Sequence, residues 1–351
     1  MDAVLIGDLH LDKMSSIFGD AANRLIMGEV VRVIDYAIDH EIPNVIFLGD
    51  IAHKSRLSYS GQIALHDALA YACNQQLRVH VILGNHDHDE DSVHSLELLS
   101  KYGPALWGNL TIHKGASTPI EVDGVDCLFL SWPECSPVQH TRGYLAFGHF
   151  EVRGSTADNG RQIKEGVDFD EDIPLFCGHL HTPHAVGNTH YVGTLYPTSF
   201  GESPQKSFTV IRAGYQGRRL KVRSQRVDHE AAIQLRTIVV ERTRQLGTLV
   251  DTSGAPYRAD TLWKYRIVLK EGVEVPDNFL AEHPNIIKVK GYSAPSELDA
   301  VLADDWVSGE DEAGGVQLDS QGALVDLLQN EYELPEKAVK KALNMLNSLG
   351  G

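Results

Sequence analysis

The sequence repeats one pattern five times: a short apolar run ends in Gly, and a polar residue able to bind a metal ion follows at once. The five runs are Val4–Asp8, Ile46–Asp50, Val81–Asn85, Leu145–His149 and Leu175–His179. Unbroken apolar runs of this length are typical of strands that are buried on both faces. They restrict the fold, because such strands need other elements packed on each side of their sheet.

The segments between these runs indicate how the strands are connected. Apolar residues recur at helical spacing over residues 26–38 and 63–72, between the first three runs. Alternation of strand and helix predicts an α/β fold with parallel connections. Shorter β-rich runs over residues 111–130 and 184–211 predict a second sheet that packs on the first.

The polar residues that end the runs are expected to converge, since ligands gather outside the carboxyl ends of strands in an open α/β sheet. His10 and His181 each lie two positions after another candidate, so each pair can face one site from an extended segment. The candidate metal ligands are Asp8, His10, Asp50, Asn85, His149, His179 and His181. This set is too large for one ion and suits two. We expect Asp50 to bridge them, because it follows the second strand and would lie near the middle.

The donor types indicate both the metal and the chemistry. A mixture of carboxylate, amide and imidazole favours manganese or iron over magnesium or structural zinc. Two bridged cations lower the pKa of a shared water and neutralise phosphate oxygens, which is the chemistry of phosphoester hydrolysis. His86 and His53 lie beside the ligands in sequence and are candidates to contact the leaving group or the phosphate. Asp87 is expected to orient His86 through its other ring nitrogen.

Charge is distributed unevenly along the 351 residues. The chain has 31 Lys and Arg against 48 Asp and Glu, a net charge of −17, which by itself argues against a polyanionic partner. Residues 271–351 hold 16 acidic residues and five Lys, whereas residues 206–244 hold ten basic residues and three acidic ones. The basic stretch is either a solvated face or a surface that receives phosphate.

Other features concern the compartment of the protein. The four cysteines, Cys73, Cys127, Cys135 and Cys177, show no paired spacing, which is expected of reduced thiols in a cytoplasmic protein. The sequence shows neither a signal peptide nor an apolar stretch long enough to span a membrane. We therefore expect a cytoplasmic protein without a membrane partner.

The order of the motifs resembles the signature of the calcineurin-like metallophosphoesterase superfamily. The matching blocks are Asp8-x-His10, Gly49-Asp50, Gly84-Asn85-His86-Asp87, Gly148-His149 and Gly178-His179-x-His181. Within this superfamily the chain is similar to SbcD-type exonuclease subunits of DNA double-strand-break repair. That similarity depends on the block from Tyr191 to Glu202 and on His53-Lys54-Ser55, which stands where Ser/Thr phosphatases carry an Arg.

The resemblance implies a division of the ligands and a fold. Asp8, His10, Asp50 and His181 would hold one ion, and Asp50, Asn85, His149 and His179 would hold the other. His86 would be the catalytic histidine, with His53 assisting, and the two divalent ions would be Mn²⁺. The expected fold is a four-layer α/β sandwich, in which helices flank two facing mixed β-sheets, with a small α+β capping domain and a C-terminal helical tail.

The last third of the chain lacks the metal motifs. Strands are predicted over residues 233–243, 262–270 and 286–289, with a short helix over 276–282. The predicted organisation is a nuclease domain over residues 1–213, a capping domain for DNA recognition over 214–303, an acidic linker over 304–322 and a helical segment over 323–351. Such a helical segment either folds back on the main domain or binds a coiled-coil ATPase of the SbcC type, as the resemblance implies.

Taken together, these features predict a manganese-dependent two-metal DNA nuclease of the SbcD type, active at DNA ends in recombination and repair. The resemblance implies that it works with an SbcC-type ATPase and forms a homodimer. This chain has no phosphate-binding loop, so any ATP dependence would come from another chain. One alternative is a phosphatase or cyclic-nucleotide phosphodiesterase on the same scaffold. Another is an interaction scaffold without catalysis. The polarity of digestion and the preferred DNA end stay open.

Overall fold

All five apolar runs form strands that belong to two six-stranded sheets, as the sequence predicts. The computed structural model describes residues 1–88, 94–115, 118–133 and 143–302. Cys135 and the predicted linker and helical segment at 304–351 lie outside the described residues.

The first sheet has the strand order β12-β11-β1-β2-β3-β4. Its strands are β1 (Asp2–Ile6), β2 (Asn44–Leu48), β3 (Arg78–Ile82), β4 (Leu110–Ile112), β11 (Lys206–Gln216) and β12 (Arg219–His229). Neighbours from β1 to β4 are parallel, whereas β11 runs antiparallel to β1 and forms a hairpin with β12. The carboxyl ends of β1, β2 and β3 therefore lie at one edge of the sheet.

The second sheet has the order β5-β6-β7-β8-β10-β9. Its strands are β5 (Ile120–Val122), β6 (Val125–Leu130), β7 (Leu145–Gly148), β8 (Leu175–Cys177), β9 (His184–Val186) and β10 (Thr189–Tyr191). The central strands β6, β7, β8 and β10 are parallel to one another, whereas β5 pairs with β6 and β9 pairs with β10 in antiparallel fashion. This sheet also collects its motif residues, after β7 and β8, at the carboxyl ends of parallel strands.

The two sheets pack face to face through one apolar cluster. Leu5, Leu48 and Ile82 of the first sheet contact the layer of Phe129 and Phe147 from the second, all of them buried. Complete burial of such side chains contributes about 1.5–3 kcal/mol each. Because the strands are apolar on both faces, the outer face of each sheet also needs cover.

Helices provide this cover on the first sheet. Those in this part of the chain are α1 (Ser15–Phe18), α2 (Ala22–Asp39), α3 (Tyr59–Asn74) and α4 (Glu97–Leu106), whereas α5 (Phe279–Glu282) and α6 (Pro295–Leu302) pack against later strands. The stripe from Ile26 to Ala37 on α2 packs against the sheet in a large apolar cluster. The Ser58 hydroxyl caps α3 by accepting the N–H of Gly61 at 3.1 Å. On the second sheet, Phe150, Val152 and Ile173 pack on the outer face.

A third sheet follows in the last part of the described chain. Its parallel strands β13 (Gln234–Val240), β14 (Trp263–Lys270) and β15 (Ile286–Tyr292) agree with the predicted strands, and α5 lies within the predicted short helix. The predicted domain boundary after Ala213 falls inside β11, and β12 continues in the first sheet as far as His229. The basic stretch thus lies mainly in the β11–β12 hairpin.

Within the described residues, no helix combines the length and the apolar character that crossing a bilayer requires.

Candidate metal centre

Tight backbone turns place the motif residues directly after their strands. His10, Asp50 and His179 have positive φ angles of 46°, 48° and 80°, which non-Gly residues rarely adopt. Such conformations cost about 1–3 kcal/mol each and are concentrated at functional sites. The turns aim side chains from both sheets into one cluster.

Glycine is required beside the cluster because backbones and side chains approach closely there. A Cβ on Gly84 would lie 2.0 Å from Oδ1 of Asp50, and one on Gly7 would lie 1.9 Å from the carbonyl oxygen of Gly193. No side chain fits at either distance. The Gly before the polar residue is therefore part of how the site is built.

Asp50 occupies the centre of the cluster and is almost fully buried. Its Oδ1 lies 3.2 Å from Nε2 of His149, and its Oδ2 lies 3.8 Å from Nε2 of His10. Its Oδ1 also accepts the backbone N–H of His86 at 2.9 Å. Because the two oxygens face different groups of ligands, this position supports the prediction that Asp50 is a bridge.

One group of ligands lies on the Oδ2 side of Asp50. Ligand atoms of Asp8, His10 and His181 all lie within 4.8 Å of one another. Nε2 of His10 is 3.0 Å from Nε2 of His181, which is itself 3.5 Å from Oδ2 of Asp8. Two imidazole nitrogens and a carboxylate oxygen thus converge on one small volume.

A second group lies on the Oδ1 side. Ligand atoms of Asp50, His149 and His179 also lie within 4.8 Å of one another. Oδ1 of Asn85 is 3.2 Å from Nε2 of His149 and 3.0 Å from Nδ1 of His179. The structure therefore brings together all seven residues that the sequence predicts as ligands, in two groups around Asp50.

Burial and close charges shift the pKa values of the ligands in the cluster. Burial raises the pKa of Asp8 to about 6. Burial acts in the same direction on Asp50, but His149 and His10 outweigh it and hold the pKa of this carboxyl well below its usual range. Burial disfavours a charge on His149, yet Asp50 and Asp8 raise the pKa of the ring to about 10. The cluster thus holds two carboxylates that need positive charge beside them.

These residues fit a pair of divalent cations. Mixed carboxylate, amide and imidazole donors suit transition metals such as manganese or iron. Nδ1 of His10 is buried without a hydrogen-bond partner among the described residues, and its Nε2 faces another imidazole. Packed ring nitrogens and carboxylates at these distances are the arrangement that metal ions stabilise.

His86 and His53 lie against the first group of ligands. The rings of His10 and His86 are 4.9 Å apart, and those of His53 and His86 are 5.6 Å apart. Nδ1 of His86 lies 2.9 Å from the backbone carbonyl of His53, which can only accept, so Nδ1 carries a proton. Burial and the nearby Lys13 lower the pKa of His53 to about 4. Both histidines are thus where the sequence predicts them, beside the ligands.

The predicted contact of Asp87 with the His86 ring is wrong. Asp87 is fully buried, and its carboxylate accepts the backbone N–H groups of Gly84 and Ala52 at 2.9 Å. The ring of His86 is oriented by the His53 carbonyl instead. Asp87 therefore fixes the loops that carry the ligands.

A buried carboxylate that sequence reasoning did not identify orients one of the ligands. Oε1 of Glu202 lies 3.0 Å from Nδ1 of His181, and its other oxygen forms an ion pair with Lys206. The hydroxyl of Thr198 also lies 3.1 Å from Nδ1 of His181. Carboxylates commonly orient metal-binding histidines in this way. The only sequence signal was the position of Glu202 at the end of the block that begins at Tyr191.

Two further carboxylates hold the loops of the second sheet. Asp158 accepts the backbone N–H groups of His181 and Thr182 at 3.0 and 2.9 Å. Oε1 of Glu151 lies 3.5 Å from Nε2 of His179. Neither residue belongs to a motif, so only the folded chain shows their place beside the ligands.

Two facing mixed sheets with a two-part His/Asp cluster at their common edge define a metal-dependent phosphoesterase. The model of the calcineurin-like phosphoesterase family matches residues 1–183, slightly more than half of the chain. The chain therefore belongs to the calcineurin-like phosphoesterase family and is a metal-dependent hydrolase. No curated protein matches the sequence significantly.

Proposed function

We propose that the protein is a DNA nuclease of the SbcD type, which uses two Mn²⁺ ions to hydrolyse phosphodiester bonds at DNA ends in recombination and repair. The observation that carries phosphodiester hydrolysis is the pair of ligand groups that share Asp50, with His86 beside them. DNA is favoured as substrate by the resemblance of the block ending at Glu202, which packs directly on His181.

The geometry suggests how the residues would act. Cations bound by the two groups would supply an activated water and neutralise phosphate oxygens. His86 is held by its Nδ1–H on the His53 carbonyl, so the imidazolium form of the ring would present Nε2–H to the leaving oxygen and become neutral when it gives up that proton. His53 would assist by hydrogen bonding to the phosphate. The third sheet, β13 to β15, would form the capping domain and help to seat DNA.

The test compares cleavage of linear duplex and single-stranded DNA in Mn²⁺ by the wild type and by His86→Gln. We expect His86→Gln to lose about 10²–10⁴-fold in rate, because proton transfer by a positioned side chain contributes that much. Its Mn²⁺ content, measured by elemental analysis, should be unchanged. His40→Gln, an exposed histidine after α2, is the matched control and should cleave normally.

The same assay includes a small phosphodiester, bis(p-nitrophenyl) phosphate. Hydrolysis of that compound without cleavage of DNA would support a phosphodiesterase or phosphatase instead. Hydrolysis of neither substrate by protein that has bound Mn²⁺ would support a non-catalytic scaffold. Full DNA cleavage by His86→Gln would contradict the assigned role of His86.

We also propose that the protein forms a homodimer through a groove between α3 and α4. The groove has a volume of about 840 Å³ and lies among exposed apolar side chains of both helices. These side chains are Tyr59, Ile63, Leu98, Tyr102 and Leu106. A second copy of the chain would cover the exposed apolar side chains of both helices at once. Arg56 and Asp67, which also line the groove, could form ion pairs across the twofold axis of the dimer. Sedimentation of the wild type as a monomer at micromolar concentration would contradict this proposal.

The SbcC-type ATPase partner remains part of the proposal. Its expected binding segment, residues 323–351, lies outside the described residues. Truncation after Ala303 tests it directly, since a truncated chain that still binds the ATPase with full affinity would contradict it.

A further inference from the structure

The β11–β12 hairpin carries a row of cations on one face, in an otherwise acidic chain. We call Arg212, Arg219, Lys221 and Arg223 the basic ridge. Arg219, Lys221 and Arg223 alternate along β12 and so share one face, and Arg212 lies directly opposite Arg223 on β11. All four side chains are exposed.

Few acidic groups balance this ridge. Arg212 approaches Asp2 at 3.6 Å, and the other three members form no ion pair within the described part of the chain. Gly214 and Gln216 are the residues opposite Lys221 and Arg219, so no carboxylate faces them across the hairpin. Like charges directly opposite each other, as in the Arg212–Arg223 pair, destabilise a sheet. The ridge is thus an arrangement that an external anion would stabilise.

Protection of an exposed sheet edge does not account for the whole ridge. Charged residues on edge strands do prevent edge-to-edge pairing, and β12 is an edge strand. Arg212, however, lies on β11, which is paired on both sides.

The register of the strands locates the ridge relative to the metal centre. Arg212 pairs with Asp2, at the end of β1 away from Asp8. At about 3.4 Å per residue, the six positions from Asp8 to Asp2 span roughly 20 Å. Gln216, opposite Arg219, lies about 14 Å further along β11. The ridge therefore begins about 20 Å from the metal centre and ends about 34 Å from it.

We propose that the basic ridge binds the phosphates of duplex DNA whose end is held at the metal centre. At about 3.4 Å per base pair, the contacts fall roughly 6 to 10 base pairs from that end. Cations repeat along β12 about every 6.8 Å, which suits a regularly charged polymer better than a small anion. This inference rests on the proposed DNA nuclease function and defines its substrate as a duplex of sufficient length.

The test uses a ridge variant, Arg219→Gln/Lys221→Gln/Arg223→Gln, of the full chain. The control, Arg24→Gln/Lys101→Gln/Lys164→Gln, removes three exposed cations outside the ridge and the third sheet and has the same net charge. Fluorescence anisotropy in Mn²⁺, with His86→Gln added to every protein to slow cleavage, measures binding of hairpin-closed duplexes with stems of about 4 and about 20 base pairs. Titrations at several salt concentrations give the number of phosphate contacts.

We expect the ridge variant to bind the long stem at least about tenfold more weakly than the wild type. The slope of log K against log salt concentration, called the salt slope, should fall in magnitude by about 3, because each lost phosphate contact lowers it by about 0.9. Binding of the short stem and hydrolysis of bis(p-nitrophenyl) phosphate in Mn²⁺ should be unchanged. The control should bind both stems like the wild type. If the triple variant does not fold by circular dichroism, Arg223→Gln alone should lower the slope by about 1.

A ridge variant with the affinity and salt slope of the control overturns the inference, and so does a wild type that binds both stems equally. Either result leaves the nuclease proposal intact if DNA is still cleaved. A wild type that hydrolyses the small phosphodiester but neither binds nor cleaves DNA overturns both proposals. Precipitation of the ridge variant with unchanged DNA affinity would show that the cations only protect the sheet edge, which also overturns the inference.

Discussion

Replacing Glu202 by Gln tests whether a buried carboxylate outside the motifs holds the metal centre in shape. The Glu202 side chain is 6% exposed and joins His181 to Lys206, which is 3% exposed. Burial disfavours the charge of Glu202, but Lys206 and His181 outweigh it and hold its pKa well below the usual range. Because Glu202 contacts Nδ1 of His181, it turns Nε2 toward Asp8 and His10.

Two separate losses follow from this geometry. Loss of a carboxylate that orients a metal-binding histidine lowers metal affinity by about 10- to 100-fold, or about 1.4–2.7 kcal/mol. Removal of one partner of a buried ion pair costs about 3–5 kcal/mol of stability, because Lys206 would keep its charge without a counter-ion. Glu202→Gln should therefore lower both Mn²⁺ affinity and the free energy of unfolding.

Lys206→Met and the double variant separate these two effects. Lys206→Met keeps the carboxylate beside His181, so its Mn²⁺ affinity should fall less than that of Glu202→Gln. The double variant removes both charges, so we expect it to be less destabilised than the sum of the two single variants, with a coupling of at least about 1 kcal/mol. Isothermal titration with Mn²⁺ and urea unfolding in EDTA measure the two quantities. Wild-type Mn²⁺ affinity in folded Glu202→Gln would refute the positioning role, and additive stability losses would refute the ion pair.

Three further predictions concern the stability of the fold and the centre. Gly84→Ala should lower the free energy of unfolding by about 1–3 kcal/mol and abolish tight Mn²⁺ binding in titrations, because its Cβ would lie 2.0 Å from Oδ1 of Asp50. Gly28→Ala is the control, since its Cβ meets nothing within 4 Å, and should be neutral or stabilising in urea unfolding. Burial lowers the pKa of His80 to about 4 and that of His113 to about 3. Below pH 6.5 the unfolded chain therefore binds more protons than the folded chain. The free energy of unfolding should fall as the pH drops from 6.5 toward 4. Urea unfolding in EDTA should show this slope reduced by up to about 1.4 kcal/mol per pH unit in His113→Phe, and an unchanged slope would contradict the assignment. Mn²⁺ at about 100 times its dissociation constant should stabilise the wild type by about 2.7 kcal/mol per site over protein in EDTA, and Asp50→Asn should abolish most of this gain in thermal melts.

Most of the metal centre could be predicted from local sequence because its ligands follow a rule that is visible in each strand. A buried parallel strand, a Gly and then a polar residue mark a carboxyl end, and such ends meet at one edge. The seven predicted ligands all lie in the cluster for this reason. Glu202 and Asp158 could not be found in the same way, since they lie in loops whose path depends on how the two sheets pack.

The error at Asp87 shows where reasoning from neighbours in sequence fails. The turn after Gly84 bends the chain so that Asp87 faces the backbone N–H groups of its own loop and of the loop after Asp50. Residues i and i+2 of a strand, or i and i+4 of a helix, share a direction, but no fixed spacing sets the directions of residues in an irregular turn. The nearest hydrogen-bond acceptor to the His86 ring was a backbone carbonyl, which no sequence pattern reveals.

The centre exists only when both sheets are packed, since Asp8, His10 and Asp50 follow strands of the first sheet and His149 and His179 follow strands of the second. Two buried carboxylates at this junction need positive charge beside them, and they favour the protonated form of His149 by raising its pKa to about 10. An imidazole must be neutral to bind a metal, so uptake of the cation has to release that proton.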